Sequence, residues 1–122
     1  MIVSTREMLL KAQKEKYAVP AFNFHNLETI QVIVETAAEL GSAVILAGTP
    51  GTFDYAGRDY AQAIIEAAAR KYNIPIALHL DHHEVIEDIK TSIDLGKKSV
   101  MIDATHNKIE ENIEIVKELV RY

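Results

Sequence analysis

Ile76-Ala77-Leu78-His79-Leu80-Asp81-His82-His83 is the stretch on which the fold turns. It opens as an apolar run after Pro75 and closes on one carboxylate and two imidazoles. A short apolar run bounded by a turn residue reads as a buried strand. A strand that ends in Asp and His suits an acid/base or metal site on an α/β scaffold. It fixes the backbone, and the crevice beyond its carboxyl end receives the side chains.

Working outward, the neighbouring segments repeat the same alternation. Upstream, Ser4 and Glu7 form a capping-box pair, and a helix is predicted from about Thr5 to Lys16. Tyr17–Asn23 reads as a strand, although Pro20 is awkward in a central one. Asn26 is placed to cap a helix carrying Ile30, Ile33, Ala37 and Leu40 at helical spacing, with Gly41 as its stop. Ala43–Ala47 reads as a fully buried strand and Gly48–Thr52 as a loop. An alanine-rich helix runs from about Asp59 to Tyr72. Downstream, Ile86, Ile89 and Ile93 give a helical stripe closed by Gly96. Ser99–Asp103 is a fourth strand ending in an acid, and Ile109, Ile113, Val116 and Val120 mark a last helix.

One helix followed by four strand–helix units implies a parallel sheet with right-handed crossovers. No linker or low-complexity stretch interrupts residues 1–122, which are read as a single domain. A small open sheet and part of a (β/α)₈ barrel both fit. Each unit takes roughly 25–30 residues, the spacing that fills the roughly 250 residues of an eight-unit barrel. On spacing, the expected architecture is half a (β/α)₈ TIM barrel preceded by an N-terminal helix.

Composition narrows the chemistry. The 122 residues are 48% hydrophobic and 25% charged, as in globular domains. A net charge of -5 argues against nucleic acid as a partner, without excluding a phosphorylated ligand held by local donors. With no cysteine, any metal must be held by His, Asp or Glu. There is no membrane-length apolar run and no signal-like N-terminus, so a cytoplasmic location is expected.

Polar residues gather at the predicted carboxyl ends of all four strands: Asn23 and His25, Thr49 and Thr52, Asp81-His82-His83, and Asp103 with His106. In a barrel that rim builds the active site. Two readings of Asp81-His82-His83 stand side by side. One is a metal or proton-transfer site, since neutral imidazole is the commonest metal ligand and an adjacent carboxylate moves protons. The other is a helix start with Asp81 as cap and solvated histidines. His79, inside the apolar run, is expected to be a satisfied core residue, and Asp103 to cap the last helix. Gly48-Thr-Pro-Gly-Thr lacks the Gly-Lys-Ser/Thr ending of a P-loop, and no nucleophile elbow or G-x-G-x-x-G is present.

Four segments in order carry a resemblance: Tyr17-Ala-Val-Pro-Ala-Phe-Asn-Phe-His-Asn-Leu-Glu-Thr29, Val44-Ile-Leu-Ala-Gly-Thr-Pro-Gly-Thr-Phe53, Ala77-Leu-His-Leu-Asp-His-His83 and Ser99-Val-Met-Ile-Asp103. Together they resemble the N-terminal half of class II ketose-bisphosphate aldolases, closest to the tagatose-1,6-bisphosphate branch. That resemblance implies zinc-dependent aldol cleavage of a tagatose- or fructose-type ketose 1,6-bisphosphate to dihydroxyacetone phosphate and glyceraldehyde 3-phosphate. It implies Asp81 as the catalytic proton-transfer residue and His82 as a Zn2+ ligand. It further implies Asn23 and Thr49 as substrate contacts, and Asp103 as a carboxylate that supports or transiently accepts the metal. The remaining zinc and phosphate ligands would lie outside this chain. The partner expected beyond the sugar phosphate is a second copy of the chain or a complementing C-terminal half. The competing expectation is a non-catalytic half-barrel that self-associates or binds a companion subunit.

Overall fold

The computed structural model describes residues 1–122. Its elements are α1 (Thr5–Glu15), β1 (Ala21–Asn23), α2 (Leu27–Glu39), β2 (Val44–Gly48), α3 (Pro50–Ala56) and α4 (Arg58–Lys71). Then follow β3 (Ile76–His83), α5 (Ile86–Asp94), β4 (Val100–Ile102) and α6 (Ile109–Arg121). All strand pairs are parallel and the sheet order is β1-β2-β3-β4, so each crossover steps to the next neighbour in the same direction. That is the winding of a barrel wall and differs from the reversal of a doubly wound sheet.

The two faces of the sheet are built differently. Val44, Leu46, Ile76, Leu78 and Leu80 point to the helix side, where they pack with Phe24, Ile30, Val34 and Ile65 into the main core. The alternate positions Ile45 and Ala77 face the inner side, where Met8 of α1 covers them. Strand alternation thus assigns the apolar residues to two layers, and α1 closes the amino-terminal end of the inner face. Met1 and Val3 extend this closure by backbone bonds to Ile76, at 3.0 and 2.9 Å.

Local rules explain most boundaries. Ser4 accepts from Arg6 N at 3.2 Å to start α1, and Lys16 ends it in the left-handed region at φ 61°. Asn26 and Thr29 form a reciprocal capping box on α2, as Asn26 led us to expect. The strand expected over Tyr17–Asn23 forms only from Ala21. Pro20 lacks an N–H, yet its carbonyl still accepts from Ile45 N at 2.9 Å, so proline sits at the strand entrance where its missing donor is harmless.

Two expectations are corrected. Gly48–Thr52 is not a loop: β2 includes Gly48, Thr49 caps α3 and Pro50 opens it, because Thr at the cap and Pro at the first helical position favour a start there. Asp103 does not cap the last helix. The cap position of α6 is Lys108, which makes no side-chain cap bond.

α6 forms where its stripe is predicted, but none of its residues is buried, and Val120 is 81% exposed. Its anchors are polar: Lys90 Nζ to Glu118 at 2.7 Å, and the Tyr122 hydroxyl to Asp94 at 2.8 Å. No helix is long and apolar enough to cross a membrane.

Candidate active site

β3 includes Asp81-His82-His83, which removes the helix-cap reading: α5 begins at Ile86 after Val85. Simple alternation along β3 would send Ala77, His79 and Asp81 to the inner face, and Leu80 and His82 to the helix side. The observed register breaks that pattern. Leu80 pairs with Val100 but His83 pairs with Ile102, so β3 carries one extra residue between these rungs. His82 sits at the break with φ 52°, a left-handed conformation that is uncommon for a side chain with Cβ. A bulge of this kind re-aims side chains. It turns His82 out to the rim beside Asp81 and returns His83 to the helix side.

The consequences differ sharply for the two imidazoles. His83 is 1% exposed and packs on Phe53, ring centroids 5.9 Å apart. Its Nδ1 lies 3.0 Å from the Asp81 carbonyl, which can only accept, so the proton is on Nδ1 and the buried Nε2 is a bare acceptor with no partner. Burial pushes its pKa down from the usual imidazole value. His82 has a side chain 60% exposed, and its Nδ1 lies 3.2 Å from Asp103 Oδ2.

Asp103 is an unusually firm acceptor. Its other oxygen, Oδ1, takes the Thr105 hydroxyl at 2.6 Å and the Thr105 N–H at 3.2 Å. The Thr105 hydroxyl, then the His82 bond, hold its pKa down at about 2. The carboxylate is therefore ionised at neutral pH, and His82 Nδ1–H donates to it. The bond to Asp103, and then the charge of Asp81, raise the His82 pKa. His82 Nε2 is left beside Asp81 Oδ2 at 3.9 Å.

Asp81 itself is 22% exposed at the side chain, between His82 Nε2 and His79 Nε2, the latter 3.8 Å from Oδ1. Both separations exceed a hydrogen bond, so both oxygens keep lone pairs for an incoming proton. His79 is held from behind. The Thr5 hydroxyl donates to Ser99 Oγ at 3.0 Å, which leaves the Ser99 proton for His79 Nδ1 at 2.8 Å. Burial pushes the His79 pKa down despite the nearby Asp81 charge. It is satisfied, as its place in the apolar run suggested, but it lies partly exposed on the inner face and not in the core.

The structure thus brings Asp81, His82 and Asp103 together and leaves Asn23 and Thr49 apart from them. Asn23 is the last residue of β1, exposed, in register with Ala47 and His79 on the inner face, and its side chain makes no hydrogen bond. Thr49 is engaged in capping, with its Oγ1 3.2 Å from Thr52 Oγ1. Thr52, which the sequence placed on the rim beside Thr49 without a role, is fully buried. Its hydroxyl donates to the Phe24 carbonyl at 3.2 Å and meets His25 Nδ1 at 3.3 Å, tying the ends of β1 and β2 together. Its spacing three residues after the Thr49 cap was the available signal.

For a metal, the donor chemistry is partial. A neutral His82 with Nδ1–H on a carboxylate and Nε2 outward has the orientation metal-binding histidines adopt. No group of three His, Asp or Glu side chains in residues 1–122 is gathered to hold an ion.

A family model described as class II fructose-bisphosphate aldolase matches residues 3–122. The chain belongs to that family. Among curated relatives of the chain, the D-tagatose-1,6-bisphosphate aldolase subunit GatY of Klebsiella oxytoca is 56% identical over 119 residues, covering 98% of the chain and 42% of the relative. The YdjI aldolase of Escherichia coli K12 superposes with a TM-score of 0.89 at 29% identity, over 99% of this chain and 47% of that one. A putative fructose-1,6-bisphosphate aldolase from Coccidioides immitis gives 0.85 at 34% identity, over 95% and 46%. The chain therefore spans less than half the length of these relatives, and its four-stranded wall corresponds to half of a TIM barrel.

Proposed function

We propose that this chain contributes the first half of the rim of a zinc-dependent ketose-bisphosphate aldolase site, of the tagatose or fructose type. The observation that carries the reading is the bulge at His82, which sets Asp81 and His82 side by side on the rim and seats His82 on Asp103. His82 would give one metal ligand through Nε2, with the others supplied by residues beyond these 122. A bound zinc would act as a Lewis acid on the substrate ketone, favouring the charge that develops as the carbon–carbon bond breaks.

The chain's own groups supply the proton chemistry and the placement. Asp81, anchored on β3 and free of hydrogen bonds at both oxygens, would take the proton of the substrate hydroxyl in cleavage and return it in condensation. His79, held by Ser99 and Thr5, limits how far that carboxylate can swing. Asp103 fixes the His82 ring plane and tautomer. Asn23 and Thr49, on the ends of β1 and β2, would meet the substrate and its phosphate.

A second reading has its own observation. α6 keeps its apolar stripe in solvent, and Phe22 on the edge strand β1 is 50% exposed. Both favour a half-barrel that is completed by a second copy or a companion half. An aldol-cleavage assay of the purified chain on tagatose and fructose 1,6-bisphosphate, with and without zinc, run beside an intact-mass measurement of the assembly, separates the two. Zinc-dependent cleavage by an associated species supports the aldolase reading. A metal-loaded assembly without cleavage of either sugar refutes it for this chain and leaves the associating module.

A further inference from the structure

Behind β3, on the face opposite Asp81, α3, α4 and α5 enclose a cavity of about 120 Å³. That is well above the roughly 10–15 Å³ that a single water requires. Leu80 and Phe53 give it apolar lining, and Arg58 from α4 and Lys97 from the segment after α5 supply two cations. Both cations are half-buried, whereas the acids are more open to solvent: Asp59, at the mouth, is exposed, and Asp88, outside the lining, is 51% exposed at the side chain. The two cations are therefore the more deeply placed charges, set against the one carboxylate, Asp59, that also lines the cavity.

The donors are only partly used. Lys97 gives one N–H to Gln62 Oε1, of the three that an ammonium carries. Arg58 gives one N–H to Ser92 Oγ at 3.2 Å and leans on Asp88 at 3.5 Å, out of five N–H donors. Burial pushes the Lys97 pKa down, and the charges of Glu66 and Asp59 do not offset it. The 14-residue α4 begins at the cavity without a side-chain cap, so the positive end of its dipole adds to the field.

We propose that this cavity binds a small tetrahedral oxyanion, phosphate or the phosphate end of a small metabolite, between Arg58 and Lys97. Arginine and lysine with spare donors beside an apolar lining are the groups that hold such an anion. The site uses none of the groups assigned to aldol chemistry, so it stands apart from that reading.

NMR of the isotopically labelled chain tests it, following the Arg58 Nε–H, the Lys97 ammonium and the first-turn amides of α4. The probes are sodium phosphate and glycerol 3-phosphate, titrated at ionic strength matched with sodium chloride. Saturable shifts centred on Arg58 and Lys97 are expected, with affinity falling about tenfold in Lys97→Met and in Arg58→Gln and retained in Lys97→Arg. A response to both probes marks inorganic phosphate as sufficient, and a response to the ester alone marks the metabolite as the source. Shifts no larger than those from chloride, or unchanged in both neutral variants, overturn the proposal. Shifts confined to Asn23 and Thr49 overturn it too, while favouring phosphate recognition on the catalytic rim.

Discussion

Replacing His82 by glycine should leave the chain more stable than replacing it by alanine, which reverses the usual order of these residues in a strand. His82 has φ 52°, where an L side chain costs about 1–2 kcal/mol and glycine costs nothing. Against that, glycine loses about 0.4–1 kcal/mol through its freer unfolded chain. Both variants lose the bond to Asp103 equally, so that loss cancels in the comparison. The remainder favours His82→Gly by about 0.5–1 kcal/mol. Urea unfolding followed by far-ultraviolet circular dichroism resolves such a gap, because slopes of ~1–3 kcal/mol/M turn it into a visible midpoint shift. Equal midpoints, or a more stable alanine variant, would show that β3 continues without the bulge. Asp81 and His82 would then point to opposite faces, and the rim as described would not exist.

Three further outcomes follow from packing and protonation. Gly48→Ala should cost about 1–3 kcal/mol, since the new methyl would lie 2.7 Å from the Phe53 ring and 3.1 Å from Phe24; unfolding midpoints measure it. Thr52→Val should cost about 1–3 kcal/mol by orphaning the buried Phe24 carbonyl, read by the same assay. Because burial lowers the His83 and His79 pKa values, the unfolded chain binds more protons than the folded one below about pH 6.5. Stability should be full above that pH and fall as the solution is acidified. His82, with a raised pKa, works in the opposite sense from an exposed position. His83→Phe should flatten the decline in urea titrations at several pH values, and an unchanged slope would contradict a neutral His83.

Much of the fold was legible because it rests on local patterns. The apolar runs at Val44–Gly48 and Ile76–Leu80 are buried on both faces, and buried parallel strands read as continuous apolar stretches. Asn26 and Gly41 marked a helix by backbone chemistry that needs no tertiary context. The bulge was not legible, because it is a difference in register between β3 and β4 and no residue in Asp81-His82-His83 announces it. Histidine is only modestly favoured in the left-handed region, and Asp81-His82-His83 offers two of them, so which one turns to the rim is seen only from the pairing of His83 with Ile102. Asp103 was misread for a related reason. An acid before a helix suits a cap, but here Thr105 and His82 claim both its oxygens. The exposed stripe of α6 shows the converse case, where periodicity specifies a helix and leaves its partner unspecified.

The central claim is that Asp81 moves the proton while His82 holds the metal. It is tested most directly by Asp81→Ala in an active assembly that takes its β3 from this chain, measuring turnover and zinc content together. The account predicts that cleavage of the ketose bisphosphate is lost while bound zinc stays at the parent level. Near-normal turnover in that variant would contradict it.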